Sequence, residues 1–227
     1  METDKITLII FDMDGVLIDS EPAYRKMNME HFSELGFEMS EEEYNGFVGM
    51  SSFRMWDRIK SDYDLEHSVE ELMESEKMRM YSVLSSDMIS TPVSGINELI
   101  LSFERSNFRL SVASSSPRDN IQLVLNKHGL NIHFDYIISG EEVLNGKPAP
   151  DIFLKTAEHF KVKPDSCYVI EDSANGVKAA KSAGMNCIAY INPNSGNQDV
   201  SDADLSVESF SDEEIIKILT FIKNSKA

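Results

Sequence analysis

Short apolar runs recur along the chain at residues 6–11, 108–113, 136–138, 167–170 and 187–191. The first has no alternating polar face, so it reads as a strand covered on both sides, as in a parallel sheet. Helical patterns separate most of the runs, which is the signature of βαβ units. Ser116-Pro117 reads as a cap followed by a proline at a first helical position, and Ser211-Asp212-Glu213-Glu214 as a capping box opening the last helix. Gly129 and Gly184 stand where helices should stop. Residues 22–88 break the alternation. They hold no strand-like run, and their apolar side chains (Met27, Phe32, Leu35; Met55, Ile59; Leu72, Met73, Met78, Tyr81, Leu84) fall at helical spacing. The expected fold class is therefore α/β: a doubly wound parallel-sheet, Rossmann-like core with an inserted α-helical cap domain. The core takes residues 1–20 and 89–227 and the cap 21–88. The cap methionines read as adaptable packing, and the Asn- and Ser-rich stretch 192–202 reads as a surface loop.

Composition narrows the function. At 227 residues the chain can bury a full core, and its net charge of −18 argues against a nucleic-acid partner. A phosphate-bearing substrate must be drawn in by a local cation, because the overall field repels it. Cys167 and Cys187 each adjoin or lie within an apolar run and read as buried free thiols. No long apolar span and no basic-then-apolar leader occurs, so a cytoplasmic protein without membrane association is expected. His31, His67, His128, His133 and His159 lack metal-ligand spacing and read as surface or helix-end residues.

The chemistry begins at Asp12-Met13-Asp14-Gly15, directly after the first apolar run. Two carboxylates two residues apart emerge there at the carboxyl end of a strand, the edge of an open α/β sheet where ligands bind. A strand-ending Asp turn is the plain structural alternative. Three more polar clusters follow strand-like runs: Ser114-Ser115-Ser116, Asn145-Gly146-Lys147-Pro148 and Glu171-Asp172-Ser173. Each alone could be a cap, a surface lysine or a turn. A parallel sheet, however, gathers them all at one edge. Clustered carboxylates raise one another's pKa unless a cation sits among them, and a few hard oxygen ligands suit Mg²⁺. One Asp is then free to attack phosphorus and a second to protonate the leaving oxygen. Ser114, backbone N–H groups and Lys147 can hold the non-bridging oxygens.

These four motifs, in this order, resemble the haloacid dehalogenase superfamily, specifically its β-phosphoglucomutase-like sugar phosphatases with a helical cap. The resemblance covers almost the whole chain. It implies that Asp12 is the nucleophile and a Mg²⁺ ligand, and that Asp14 is the general acid/base and ligates through its backbone carbonyl. It further implies that Asp172 completes the ligands with Glu171 supporting through a water, and that Ser114 and Lys147 grip the phosphoryl group. The cap would close over the site and exclude water. Gly49, Ser51, Ser52, Arg54 and Lys77 of the cap, with Ser115 and Ser116, are the expected substrate contacts. Trp56, beside Phe53 and Met55, reads either as cap core or as part of the substrate face.

Asp14 marks a phosphoryl-transfer member, since a dehalogenase needs no acid there. The sugar-phosphate mutases of the superfamily carry a cap-hinge histidine where this chain has Tyr24. They also carry a cap-loop arginine for a second phosphate where it has Ser52, with Arg54 close by. Both departures, with Asp19-Ser20-Glu21-Pro22, favour a phosphatase. The expected activity is Mg²⁺-dependent hydrolysis of a small phosphomonoester, a phosphorylated metabolite of the sugar-phosphate type, through an aspartyl-phosphate on a monomeric enzyme. A β-phosphoglucomutase-type isomerase and a non-catalytic binding or regulatory protein are the alternatives.

Overall fold

The computed structural model describes residues 6–86 and 91–225. Six parallel strands form one sheet in the order β3-β2-β1-β4-β5-β6. They are β1 (Leu8–Phe11), β2 (Arg109–Ser114), β3 (Tyr136–Ser139), β4 (Cys167–Glu171), β5 (Asn186–Tyr190) and β6 (Leu205–Val207). Each of the first five overlaps a run expected from the sequence. β6 was not expected. It pairs Leu205 with Ile188 and Val207 with Tyr190, and its three residues sit among Asp and Ser in a stretch too short to show a period.

Alternation within β1 explains the two-sided burial. Ile9 and Phe11 pack with α5 (Ile96–Arg105), α6 (Arg118–Lys127) and α9 (Asp212–Asn224). Leu8 and Ile10 pack on the opposite face with α7 (Asp151–Phe160) and α8 (Ala174–Ser182). β1 lies between β2 and β4, so its carboxyl end opens at the middle of the sheet, where the strand order reverses. Both cysteines are buried and free.

Between β1 and α5 the chain runs through four helices: α1 (Glu21–Glu34), α2 (Glu41–Asn45), α3 (Ser52–Tyr63) and α4 (Val69–Ser85). α4 opens on a capping box in which Ser68 and Glu71 satisfy each other's backbone N–H groups. The insertion has a core of its own, with Trp56 fully buried among Phe32, Tyr44, Phe47, Met55, Ile59 and Leu72. Trp56 is thus cap core and not substrate face. Met27, Met39, Met55 and Met80 are buried, whereas Met78 and Tyr81, expected on the apolar face, are exposed. His31 is a helix-end residue, as one of the two expected readings has it, but it is not at the surface: it is buried in the last turn of α1, against the Trp56 ring and 3.1 Å from Ser75 Oγ. The expected domain boundary at residues 88 and 89 lies outside the described residues. Next to it, Val93 N–H donates to Leu17 O at 3.0 Å and ties the return of the chain to the β1 exit loop.

Candidate active site

Asp12 and Asp14 leave β1 on a loop closed by Gly15, whose N–H donates to Ile18 O at 2.7 Å. Gly15 has φ +77°, and a Cβ there would lie 2.0 Å from Asp172 Oδ2. Only glycine lets the β1 loop come this close to the end of β4. The parallel register aligns the strand ends: Phe11 pairs with Val112 and with Ile170. Asp12, Ser114, Glu171 and Asp172 therefore reach one edge together, as the sequence predicts.

Lys147 enters from the loop before α7 and is buried beneath the site. Its ammonium donates to Asp12 Oδ1 at 2.6 Å, Glu171 Oε1 at 2.6 Å and Ala113 O at 3.2 Å, using all three of its protons. Burial alone would lower its pKa, but the charges and hydrogen bonds of Asp12 and Glu171 outweigh burial and raise it. Glu171 Oε2 accepts from Asp172 N–H, Ser173 N–H and Ser173 Oγ. Oε1 has Lys147 as its hydrogen-bond donor and is packed against Gly176 at the start of α8.

Asp14 is clamped on both oxygens. Ser20 Oγ donates to Oδ1 at 2.7 Å and Ser116 Oγ to Oδ2 at 2.6 Å, with Ser114 Oγ at 3.4 Å. Ser20 caps α1 by position, yet its hydroxyl serves Asp14 and not the helix. Ser116 likewise does not cap α6: Pro117 takes that position, and the serine turns to Asp14. Burial raises the Asp14 carboxyl despite these hydroxyls.

One oxygen each from Asp12, Glu171 and Asp172 lies within 4.8 Å of the others, all on buried side chains. Burial pushes Asp12 up to about 8 against the pull of Lys147, with Glu171 and Asp14 adding to the rise. Asp172 is raised well above the ordinary carboxylate range by burial and by Glu171, Glu21 and Asp12. Three buried carboxylates facing one lysine lack positive charge, so this donor set fits a small divalent cation.

A small cavity of about 80 Å³ opens over Asp12, Asp14, Ser114 and Asp172 and is roofed by the helical insertion. Gly49, Ser52, Ser115 and Ser116 line it, as expected of substrate contacts. Ser51, Arg54 and Lys77 do not; they line a neighbouring groove, where Lys77 pairs with Glu141 at 3.2 Å. Sequence reasoning missed Glu21, Asn28, Tyr44 and Glu76, which complete the cavity wall from α1, α4 and the end of α2. The 192–202 stretch is more than a surface loop. Asn192 and Ser195 are buried, Ser195 Oγ donates to Asp172 Oδ2, and Asn192 Nδ2 donates to Gly15 O at 2.8 Å. No local pattern flags them, since both belong to an otherwise polar loop.

A parallel sheet with carboxylates, a lysine and serines converging on its switch point defines a phosphoryl-handling α/β enzyme. The sequence profile of the haloacid dehalogenase-like hydrolases matches residues 9–190, and this chain belongs to that family. It is 32% identical over 180 residues to the phosphorylated carbohydrates phosphatase of Thermotoga maritima, covering 78% of this chain and 81% of that protein. It is also 33% identical over 191 residues to the chloroplastic Protein SUPPRESSOR OF QUENCHING 1 of Arabidopsis thaliana. That match spans 82% of this chain but only 18% of the plant protein. In structure it is similar to β-phosphoglucomutase from Clostridium difficile, with a TM-score of 0.82, 26% identity, and coverage of 96% and 98% of the two chains.

Proposed function

We propose that this chain is a Mg²⁺-dependent phosphatase that hydrolyses a small phosphorylated carbohydrate through a phospho-enzyme on Asp12. The observation that carries this reading is the pairing of two differently held carboxylates over one cavity. Asp12 is bonded to Lys147 at 2.6 Å, and Asp14 is fixed by Ser20 and Ser116. A carboxylate held against a lysine ammonium is suited to attack, and one held by two hydroxyls, away from that lysine, is suited to proton transfer.

In the first step an Asp12 oxygen bonds to phosphorus while the bond to the ester oxygen breaks, and Asp14 gives that oxygen a proton. In the second, Asp14 takes a proton from water, the hydroxyl adds to phosphorus, and Asp12 leaves as a free carboxylate. The Lys147 proton on Asp12 Oδ1 turns to the phosphoryl oxygens, and Ser114 donates beside it. Bound by Asp12, Asp172 and the Asp14 carbonyl, with Glu171 holding a water, Mg²⁺ would offset the charge of phosphate and carboxylates together. Residues 21–88 serve as the cap, with Gly49, Ser52, Ser115 and Ser116 nearest the substrate. The similarity to the Thermotoga phosphatase supports the carbohydrate substrate. The isomerase reading draws no support from the cavity, whose lining among the described residues contains no lysine or arginine for a second phosphate.

The test is phosphate release from a panel of hexose and pentose phosphates, with Mg²⁺ and with chelator. Metal-dependent release is expected, and Asp12→Asn should lower it by about 10³-fold or more while melting like the wild type. Full activity of that variant, or of the chelated enzyme, would refute the mechanism.

A further inference from the structure

The part of the cavity lining supplied by the insertion carries its own chemical signature. Among apolar residues such as Phe47, Met50, Met55 and Met80 it sets three buried polar side chains: Glu21 and Asn28 from α1 and Glu76 from α4. Asn28 is buried at 5% exposure; its Nδ2 donates to Tyr44 Oη at 3.0 Å, but its Oδ1 has no partner among the described residues. A buried carbonyl without a donor costs on the order of 1–3 kcal/mol, so a donor arriving with the ligand would remove that penalty. Glu21 and Glu76 are as deeply buried. Glu76 accepts from Trp56 Nε1 at 2.9 Å on Oε2 and is also hydrogen-bonded by Ser52, which leaves part of its four lone-pair sites for a further donor. The open hydrogen-bonding positions of these three side chains are oxygens.

Among the described residues, no lysine, arginine or histidine lines the cavity. The adjoining groove, which shares Ser52, Glu76 and Ser115 with it, sets Asp57, Glu70, Glu74, Glu76 and Glu141 against only Arg54 and Lys77. Of these two cations, Lys77 is already engaged by Glu141. A second phosphate or a carboxylate on the substrate would lose its water inside the cavity with no positive charge from the described lining in return, and in the groove it would meet Arg54 alone among five acidic residues.

We propose that Glu21, Asn28 and Glu76 read the hydroxyl groups of the leaving group, restricting this enzyme to singly phosphorylated, otherwise uncharged polyols and sugars. This rests on the phosphatase reading above and adds the substrate's second end. Burial raises Glu21 to about 8 and Glu76 to about 7. Ionised or protonated, each can pair with a hydroxyl, and in neither state does it supply positive charge.

The test compares kcat/KM of the Mg²⁺-loaded wild-type enzyme for sorbitol 6-phosphate and glucose 6-phosphate with that for fructose 1,6-bisphosphate and phosphoglycolate. p-Nitrophenyl phosphate serves as a substrate without hydroxyls. The two monophosphates, uncharged apart from the phosphate, should exceed both compounds that carry a second anionic group by about 100-fold. In Asn28→Leu, the ratio of kcat/KM for sorbitol 6-phosphate to that for p-nitrophenyl phosphate should fall about 10-fold. Turnover of the bisphosphate or phosphoglycolate equal to that of the polyols overturns the proposal, and the wild-type panel decides this even if the variant fails to fold. Hydrolysis of p-nitrophenyl phosphate in that case leaves the phosphatase reading standing. Failure to hydrolyse any of the five compounds overturns both.

Discussion

At the scale of single residues, the site depends on how closely the β1 loop approaches Asp172. Gly15 has φ +77° and no room for a Cβ, because Asp172 Oδ2 would lie 2.0 Å away. Gly15→Ala must therefore push the Asp172 carboxylate out of line or distort the loop. Ser195 Oγ donates to the same Asp172 oxygen, so a shift of the carboxylate would also disturb that hydrogen bond. The Mg²⁺ concentration for half-maximal activity should rise about 10–100-fold in this variant. An unchanged metal dependence would show that Asp172 does not hold the cation. Asp12, Asp14, Ser114, Lys147 and Asp172 were legible in the sequence because each follows a strand and strand ends share one edge of a parallel sheet. Ser20 and Ser195 were not. Each reaches the site through a loop whose course depends on tertiary packing, and a serine in a loop has many commoner roles.

At the scale of elements, α3 and α4 are joined through a buried acid. Glu76 accepts from Trp56 Nε1 at 2.9 Å, and burial lifts its pKa to about 7 against the hydrogen bonds of Ser52 and Trp56. An unfolded glutamate titrates near 4.5, so between these values the native state keeps a proton that the unfolded chain has lost. Stability from this group is therefore full below pH 4.5 and declines as pH rises through 7, by up to about 3 kcal/mol. Thermal unfolding of the chelated protein and of Glu76→Gln at pH 5 and pH 8 should show the wild type losing ground to the variant at the higher pH. Parallel curves would mean that Glu76 titrates as an ordinary carboxyl. The same elements show what the pattern of the chain conveys. Helical spacing revealed an insertion with its own core, since Phe32, Met55, Ile59 and Leu72 all turn inward. It did not reveal which polar residues face the cavity. Glu21, Asn28 and Glu76 look like solvated helix positions until α1 and α4 are placed against the sheet edge.

At the scale of the whole molecule, the site must attract an anion to a chain of net charge −18. The cation deepest in the site offers little help from a distance, because Lys147 is buried and neutralised by Asp12 and Glu171 at 2.6 Å each. The insertion is held over the core mainly by neutral contacts. Asn175 Nδ2 donates to Val48 O at 2.8 Å, Ser115 Oγ to Gly49 O at 3.1 Å and Gln198 Nε2 to Asn45 O at 3.1 Å. The Lys77–Glu141 pair also bridges the two parts, but at 35% and 42% side-chain exposure it contributes under about 1 kcal/mol. Salt should therefore act chiefly on the approach of substrate and little on the seating of the insertion against the core. The surface field extends roughly 20 Å at low ionic strength and shrinks to below about 10 Å above 0.1 M. Raising KCl from low to moderate concentration, with Mg²⁺ held saturating, should increase kcat/KM for a phosphomonoester by about 2–5-fold as the repulsion is screened. A steady decrease would mean the opposite balance, with the metal-loaded site projecting enough positive potential to overcome the acidic surface and steer the phosphate in.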